Sequence, residues 1–271
     1  MPRPPKKIRA DRLLVERGLA ESQAKAQAFI MAGRVSSDGR RVEKAGELLT
    51  AGAPLFCEPV SPFVGRGGLK LAEALDAFGV SPAGLTCADI GASTGGFTDC
   101  LLQRGAAKVF AVDVTTSQLD DRLRRNPRVV PVERNARNLK AADLGEPVDL
   151  AVMDVSFISI LKILPALAAV LRGGEAILLS LIKPQFEAAR DRVGERGIIR
   201  DPEVHREVLT RIAGGAREAG FALTGLLRLV TRGRKGNVEF FGRFVLREPS
   251  VEPLPRDVIE SVDIASGGTS S

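Results

Sequence analysis

From residue 85 onward, short apolar runs alternate with segments whose apolar positions recur every three or four residues. The runs predict strands at 86–90, 108–114, 129–133, 149–154 and 176–182, and the segments between them predict helices near 98–104, 117–125 and 163–171. Strand alternating with helix gives a parallel sheet covered on both faces. Just upstream, Leu71, Ala74, Leu75 and Phe78 share one face of a helix over Leu69–Phe78. After residue 200 the pattern changes. Pro202–Gly220 reads as a helix, and Ala222–Thr231 and Val238–Arg247 read as strands joined by the polar loop Arg232–Asn237. A short polar loop implies a hairpin, so the last strand is expected to run antiparallel.

The first part of the chain has a different rhythm. Residues 1–7 read as a basic tail, and Ala10–Glu16 as a short helix with Leu13 and Leu14 on one face. Glu21 or Ser22 caps a second helix that runs to Met31, with Ala26, Phe29 and Ile30 on one side, and Ala32-Gly33 ends it. Val35, the turn Ser37-Asp38-Gly39 and Val42 suggest a hairpin, and Leu48–Cys57 a further turn and strand. The expected organisation is a small α+β domain over 1–58 and a linker over 59–68, marked by Pro59, Pro62 and Gly65-Arg66-Gly67-Gly68. A Rossmann-like α/β domain over 69–249 and a flexible tail over 250–271 follow.

The 271 residues are 44% hydrophobic and 27% charged, ordinary for a soluble globular protein. No apolar run approaches the ~18 residues of a membrane span, and the basic start Met1-Pro2-Arg3 leads into no apolar stretch. Three scattered cysteines suggest neither a disulfide framework nor a metal site, so the cytoplasm is the default. Charge is more informative. Of the net +6, residues 1–60 carry 11 Lys/Arg against 7 Asp/Glu, a net of +4. Concentrated positive charge points to phosphate partners.

The stretch Asp89-Ile90-Gly91-Ala92-Ser93-Thr94-Gly95-Gly96-Phe97-Thr98 follows the first strand of the larger domain. Its spacing is Gly-x-x-x-Gly-Gly, so the dinucleotide fingerprint Gly-x-Gly-x-x-Gly is absent. A carboxylate ahead of the turn repels a pyrophosphate and attracts an ammonium group. Asp113, ending the next strand, suits a ribose diol. Together they favour a zwitterionic nucleoside such as S-adenosylmethionine, over a structural turn with no ligand. The expected cofactor set is Asp89, Gly91, Ser93, Thr94, Gly95, Gly96, Phe97, Asp113, Val114 and Asp154.

Ligands of open α/β sheets sit beyond the carboxyl ends of the strands. Asp154 and Lys183 end two predicted strands at that edge, Glu239 begins the antiparallel one, and the helix of Lys70 can reach it from outside. Two lysines and two carboxylates there suit alcohol methylation, where a weak nucleophile must be positioned and deprotonated. A lysine ordinarily titrates near ~10.4, and a second cation and partial burial are two ways to lower it. Lys183 is the expected base, Asp154 its partner, and Lys70 and Glu239 orient the pair. The bland alternative is a structural ion-pair network.

Three motif groups carry a resemblance. Arg9-x-Asp11-Arg12-Leu13-Leu14, Ser22-x-x-Lys25-Ala26 and Ile30-x-x-Gly33-Arg34-Val35 resemble the alpha-L RNA-binding motif, named after a small-subunit ribosomal protein. Lys70, Asp154, Lys183 and Glu239 look like the Lys-Asp-Lys-Glu tetrad of FtsJ-type ribose 2′-O-methyltransferases. With Arg66-Gly67-Gly68-Leu69-Lys70-Leu71, Lys183-Pro184-Gln185-Phe186-Glu187 and Gly236-Asn237-x-Glu239, residues 9 to about 247 resemble the TlyA family, often labelled hemolysins. The resemblance implies S-adenosylmethionine as methyl donor and cytidine 2′-hydroxyls of 16S rRNA, 23S rRNA or both, in ribosomal subunits, as acceptors. It implies RNA contacts at Arg9, Arg12, Lys25 and Arg34, and at Arg66 of the matched Arg66-Gly67-Gly68 stretch; Arg232, Arg234 and Lys235 are read as phosphate contacts from their charge and their nearness to Glu239 in sequence. Departures from the family are Phe63-Val64-Gly65, Thr115-Thr116-Ser117 and Thr231–Arg234. The rival readings are a non-catalytic RNA-binding or ribosome-assembly factor and, further off, a hemolysin. The basic loop Phe186–Arg200 reads equally as a substrate-gripping lid or a plain surface loop. Phe157 reads as core in preference to a packing partner of the target base, and His205 as polar surface.

Overall fold

A computed structural model describes residues 6–58, 61–174, 176–230, 236–247, 256–260 and 262. The chain divides into two units between Val60 and Ser61. In the first, β1 (Lys7–Arg9) leads into α1 (Ala10–Glu16) and α2 (Gln23–Met31), followed by β2 (Val35–Ser37), β3 (Arg40–Arg41), β4 (Leu48–Thr50) and β5 (Leu55–Cys57). Lys7, expected in a loose tail, instead pairs with Thr50 as β1 runs antiparallel to β4. Ser22 caps α2 by accepting the Lys25 N–H at 3.2 Å. Ala10, Leu13, Leu14, Ala26, Ile30, Val35 and Val42 form the core of this unit. At its edge the Asp11 carboxylate is buried and accepts from Arg9 Nη2 at 2.7 Å, Gln23 at 3.0 Å and Gln27 at 3.1 Å. The Arg9 hydrogen bond holds that carboxyl well below the usual range, against the opposing effect of burial.

The second unit comprises α3 (Gly67–Phe78), β6 (Thr86–Ile90), α4 (Gly96–Gln103), β7 (Lys108–Asp113), α5 (Asp121–Arg124), β8 (Val129–Glu133), α6 (Ala141–Leu144), β9 (Leu150–Met153) and α7 (Leu164–Ala168). β10 (Ile177–Ile182), α8 (Pro184–Glu187), α9 (Pro202–Glu218), β11 (Phe221–Arg228), β12 (Phe240–Leu246) and α10 (Arg256–Glu260) complete it. Its sheet has the order β11-β12-β10-β9-β6-β7-β8. β10, β9, β6, β7 and β8 are parallel, and β12 runs antiparallel to both β10 and β11. Side chains alternate across such a sheet, so each strand feeds two cores. Leu150 and Val152 join Leu71, Leu75, Phe97 and Leu101 on one face. Ala151 and Met153 join Leu164, Leu209, Ile212 and Phe244 on the other.

Two boundary expectations change. The stretch 59–68, read as a linker, joins the second unit from Ser61 on, and α3 already begins at Gly67. Val64 N–H donates to Asp99 at 2.9 Å, and Gln103 donates to the Pro62 carbonyl at 3.0 Å. The glycines mark close packing: a Cβ on Gly96 would lie 3.2 Å from the Gly68 nitrogen, and one on Gly68 only 2.4 Å from the Phe63 ring. The expected tail over 250–271 contains α10, where Ile259 is buried in the larger core beside α9. Val258, Ile259 and Val262 all pack on this core, but scattered among charged and small residues they were too weak a signal to read as an anchor. Among the described residues no helix is long and apolar enough to cross a membrane, and no group of side chains is arranged to hold a metal.

Candidate active site

The parallel strands all end at one edge, so the residues after them meet there. Gly91 follows β6, Asp154 follows β9 and Lys183 follows β10. The antiparallel register sets Ile182 against Phe240, which brings Glu239 to the same edge. A cavity of about 530 Å³ lies there, lined by all four tetrad residues and by Asp89, Gly91, Ser93, Thr94, Gly96 and Phe97. Its size falls within the ordinary range for small-ligand sites.

The tetrad forms two ion pairs. Lys183 Nζ lies 2.5 Å from Asp154 Oδ1 and donates to Ser156 Oγ at 2.9 Å. Lys70 Nζ lies 2.5 Å from Glu239 Oε2. Both lysine side chains are 12% exposed, Glu239 3% and Asp154 26%. Lys70 sits in the first turn of α3, where the helix dipole disfavours a cation, and the buried Glu239 carboxylate supplies the compensating charge.

Asp89 is fully buried. Its Oδ2 accepts from the Thr98 N–H at 2.8 Å and the Thr98 hydroxyl at 2.6 Å, while Oδ1 has no partner. Burial pushes this carboxyl up to about 7; Asp154 and Asp113 add to the rise, and the Thr98 hydrogen bonds oppose it. A buried carboxylate oxygen without a partner, lining a cavity, is a fitting receptor for an ammonium group. Asp113 lies just outside the lining and ties the turn together, accepting from the Ser93 N–H at 2.8 Å and the Val114 N–H at 2.7 Å. Val114 is exposed beside it, also off the lining. Gly95 faces the other way: a Cβ there would strike Leu123 and Leu119, so its role is packing. The turn thus has the chemistry to hold S-adenosylmethionine, with Asp89 able to take the ammonium and Gly91 and Gly96 on the cavity lining.

Gly91 has φ +85°, and a Cβ there would lie 2.4 Å from the Asp154 carbonyl oxygen. Gly91→Ala is expected to lower the melting temperature, since a left-handed backbone alone costs about 1–2 kcal/mol in an L-residue. The same variant should weaken S-adenosylmethionine binding measured by calorimetry, because the clash moves the end of β9.

Sequence reasoning missed part of the rim. Gly65, Gly67, Ala92, Ser156, Gln185 and Phe186 all line the cavity, and Arg66, expected at the RNA, is there too. Phe157 is not core: it is 89% exposed, has φ +66°, lines the cavity, and its ring lies 4.8 Å from that of Phe186, tilted by 49°. His205 is not polar surface either. It is 2% exposed and packs edge-on against Phe240 at 5.6 Å, and burial lowers its pKa. In the first unit Lys25 and Arg34 flank the Phe29 ring at 5.9 and 5.2 Å, Arg12 is exposed, and Arg9 is bound to Asp11. Arg232, Arg234 and Lys235 lie outside the described residues.

Residues 63–244 match the profile of the FtsJ-like methyltransferases, and residues 8–55 match the S4 domain. The chain is 48% identical over 240 residues to YqxC of Bacillus subtilis, named as a candidate rRNA methyltransferase, spanning 87% of this chain and 84% of that one. It is 42% identical over 239 residues to TlyA of Mycobacterium tuberculosis, named a 16S/23S rRNA (cytidine-2′-O)-methyltransferase, spanning 87% and 89%. The chain belongs to the TlyA family of FtsJ-like methyltransferases. A solved chain from Streptococcus thermophilus, named as a candidate hemolysin, superposes with a TM-score of 0.73 at 39% identity over 94% of each chain. In this chain the S4 match falls within the first unit and the methyltransferase match within the second.

Proposed function

We propose that this protein methylates the ribose 2′-hydroxyl of cytidine in 16S or 23S rRNA, using S-adenosylmethionine and acting on ribosomal subunits in the cytoplasm. The observation that carries this reading is the pair of part-buried lysine–carboxylate contacts on the rim of the glycine-turn cavity. S-adenosylmethionine, when bound, supplies a sulfonium methyl that is already a strong electrophile. The chain's own task is then to place the hydroxyl and take its proton. Lys183, in its neutral form, accepts that proton, and Asp154 and Ser156 hold the amine and the resulting ammonium in place. The Lys70–Glu239 pair orients the acceptor and supplies a second positive charge at the rim. Asp89 receives the methionine ammonium, and Asp113 is offered to the ribose of the cofactor. Arg12, Lys25, Arg34 and Arg66, with Arg232, Arg234 and Lys235, are assigned to the rRNA backbone; Arg9 contributes through the guanidinium nitrogen that its pairing to Asp11 does not use.

The experiment uses ribosomal subunits from cells lacking this gene, incubated with the protein and methyl-labelled S-adenosylmethionine. New 2′-O-methylcytidine, mapped by primer extension or mass spectrometry, is the expected product. Tight rRNA binding without transfer would support the non-catalytic rival instead.

Asp89 gives a pH test of the cofactor assignment. Its folded carboxyl titrates near 7, above its ordinary value, so ammonium binding must first remove a proton at acid pH. S-adenosylmethionine affinity should therefore fall as pH drops below about 7, and Asp89→Asn should weaken binding at pH 8 and flatten this dependence. Without ligand the sign for stability is opposite. The folded state holds the Asp89 proton more tightly, so its stabilising effect is present at low pH and is lost as pH rises toward 7. Asp89→Asn should then raise the melting temperature at pH 8 and leave it nearly unchanged at pH 4.

A further inference from the structure

Asn237 is a buried polar residue that the proposed chemistry does not use. Both ends of its amide are committed to the loop between α8 and α9. Its Oδ1 accepts from the Ile199 N–H at 3.1 Å, and its Nδ2 donates to the Gly197 carbonyl at 2.9 Å. Two residues further on is Glu239. No regular structure spans that interval, because β12 begins at Phe240. The arm carrying Glu239 is held by the Asn237 amide, by the Leu229 N–H donating to the Glu239 carbonyl at 3.0 Å, and by the ion pair with Lys70.

The loop itself is pinned at both feet. At its start Glu187 is buried and accepts from the Ile160 N–H at 2.8 Å and from Arg211 at 3.3 Å. At its end Ile199 is buried. Between these feet run Arg190, Arg192 and Arg196. The loop is thus a strap with a fixed foot against the Glu239 arm, and the Asn237 side-chain amide joins the two.

We propose that Asn237 is a positioning residue for methyl transfer: its amide fixes the arm that presents Glu239, and through Glu239 the Lys70 ammonium, to the foot of the basic loop. This rests on the functional reading above. An amide supplies a donor and an acceptor at once, whereas a carboxylate supplies acceptors only and a protonated carboxyl supplies both again. Burial and the nearby Glu239 carboxylate both raise the pKa of a carboxyl introduced at this site. His205, beneath Phe240, and Lys70 are present in parent and variant alike, so their titration cancels in a ratio of the two.

The test uses the full chain with S-adenosylmethionine and ribosomal subunits. Asn237→Ala should lower kcat by about tenfold or more, with the subunit KM and the S-adenosylmethionine Kd close to the parent values, the pattern of a lost transition-state contact. Asn237→Asp should be impaired at pH 8.5 and recover relative to the parent as pH falls to 6.5, when its acid form again donates to the Gly197 carbonyl. Hydrogen exchange in Asn237→Ala should quicken together in 196–199 and 237–241. An Asn237→Ala kcat near the parent's, a loss carried by KM or cofactor affinity, or a flat Asn237→Asp ratio would overturn the proposal. Where Asn237→Ala does not fold, the pH series of Asn237→Asp decides. A parent protein that methylates no subunit overturns the functional reading, and the exchange measurement then judges the clamp without turnover: unchanged exchange in 237–241 sinks it.

Discussion

Lys183→Ala should abolish methyl transfer to rRNA while leaving S-adenosylmethionine affinity nearly intact. Positioned proton transfer contributes roughly 10²–10⁴-fold to an enzymatic rate, and in this site no other described side chain replaces the lost amine. Lys70, the second lysine on the rim, is occupied by Glu239. Asp89 lies in β6 and the glycine turn follows it, and β9 separates β6 from β10 in the sheet order, so the truncation leaves their own contacts in place. Removing Lys183 also leaves Asp154 without its cation, but Asp154 is 26% exposed and water compensates for much of the loss. The protein should therefore stay folded, and the activity loss should appear in kcat. Single-turnover transfer with calorimetric titration of the cofactor separates the two effects. A variant that keeps full activity removes Lys183 from the chemistry.

The second large effect is on stability. Lys70→Met should destabilise the methyltransferase unit by about 3–5 kcal/mol, the usual cost of orphaning a buried partner, and so lower the melting temperature on the order of 10 °C. Glu239 is 3% exposed, so after the substitution it is a carboxylate in the protein interior with no cation. Part of the loss should return at acid pH, where the orphaned carboxyl takes up a proton. The double variant Lys70→Met, Glu239→Leu removes both charges and should regain most of the stability, since well-packed apolar pairs replace buried ion pairs at little cost. It should not regain methyl transfer. A double variant that is both stable and active would show that this pair serves the fold alone; one that stays unstable would show that Lys70 does more than compensate Glu239.

The strands were legible because their patterns were strong. β6 and β8 occupy the stretches 86–90 and 129–133 that their apolar runs predicted. Helix ends were less so: α5 spans Asp121–Arg124 within an expected 117–125, where Asp120 caps it by accepting the Arg122 N–H. The glycines of 65–68 carried an ambiguous signal. Glycine serves both linkers and close backbone contacts, and only the partner at Gly96 distinguishes the two. His205 and Phe157 were misread for a related reason. A single residue's polarity is a weak guide to burial when a loop or an aromatic partner elsewhere in the chain sets its surroundings.

Alternating apolar runs, a glycine turn between two acids, and four charged residues at strand ends were sufficient in the sequence to establish a parallel sheet and the edge at which it works. These are local properties, fixed by backbone sterics and by which residues must leave water. The pairing of Lys183 with Asp154 and of Lys70 with Glu239, the raised carboxyl of Asp89, and the Asn237 clamp emerged only when strands distant in sequence came into register. Distance, burial and the absence of a partner are relations between segments, and no single stretch of chain contains them.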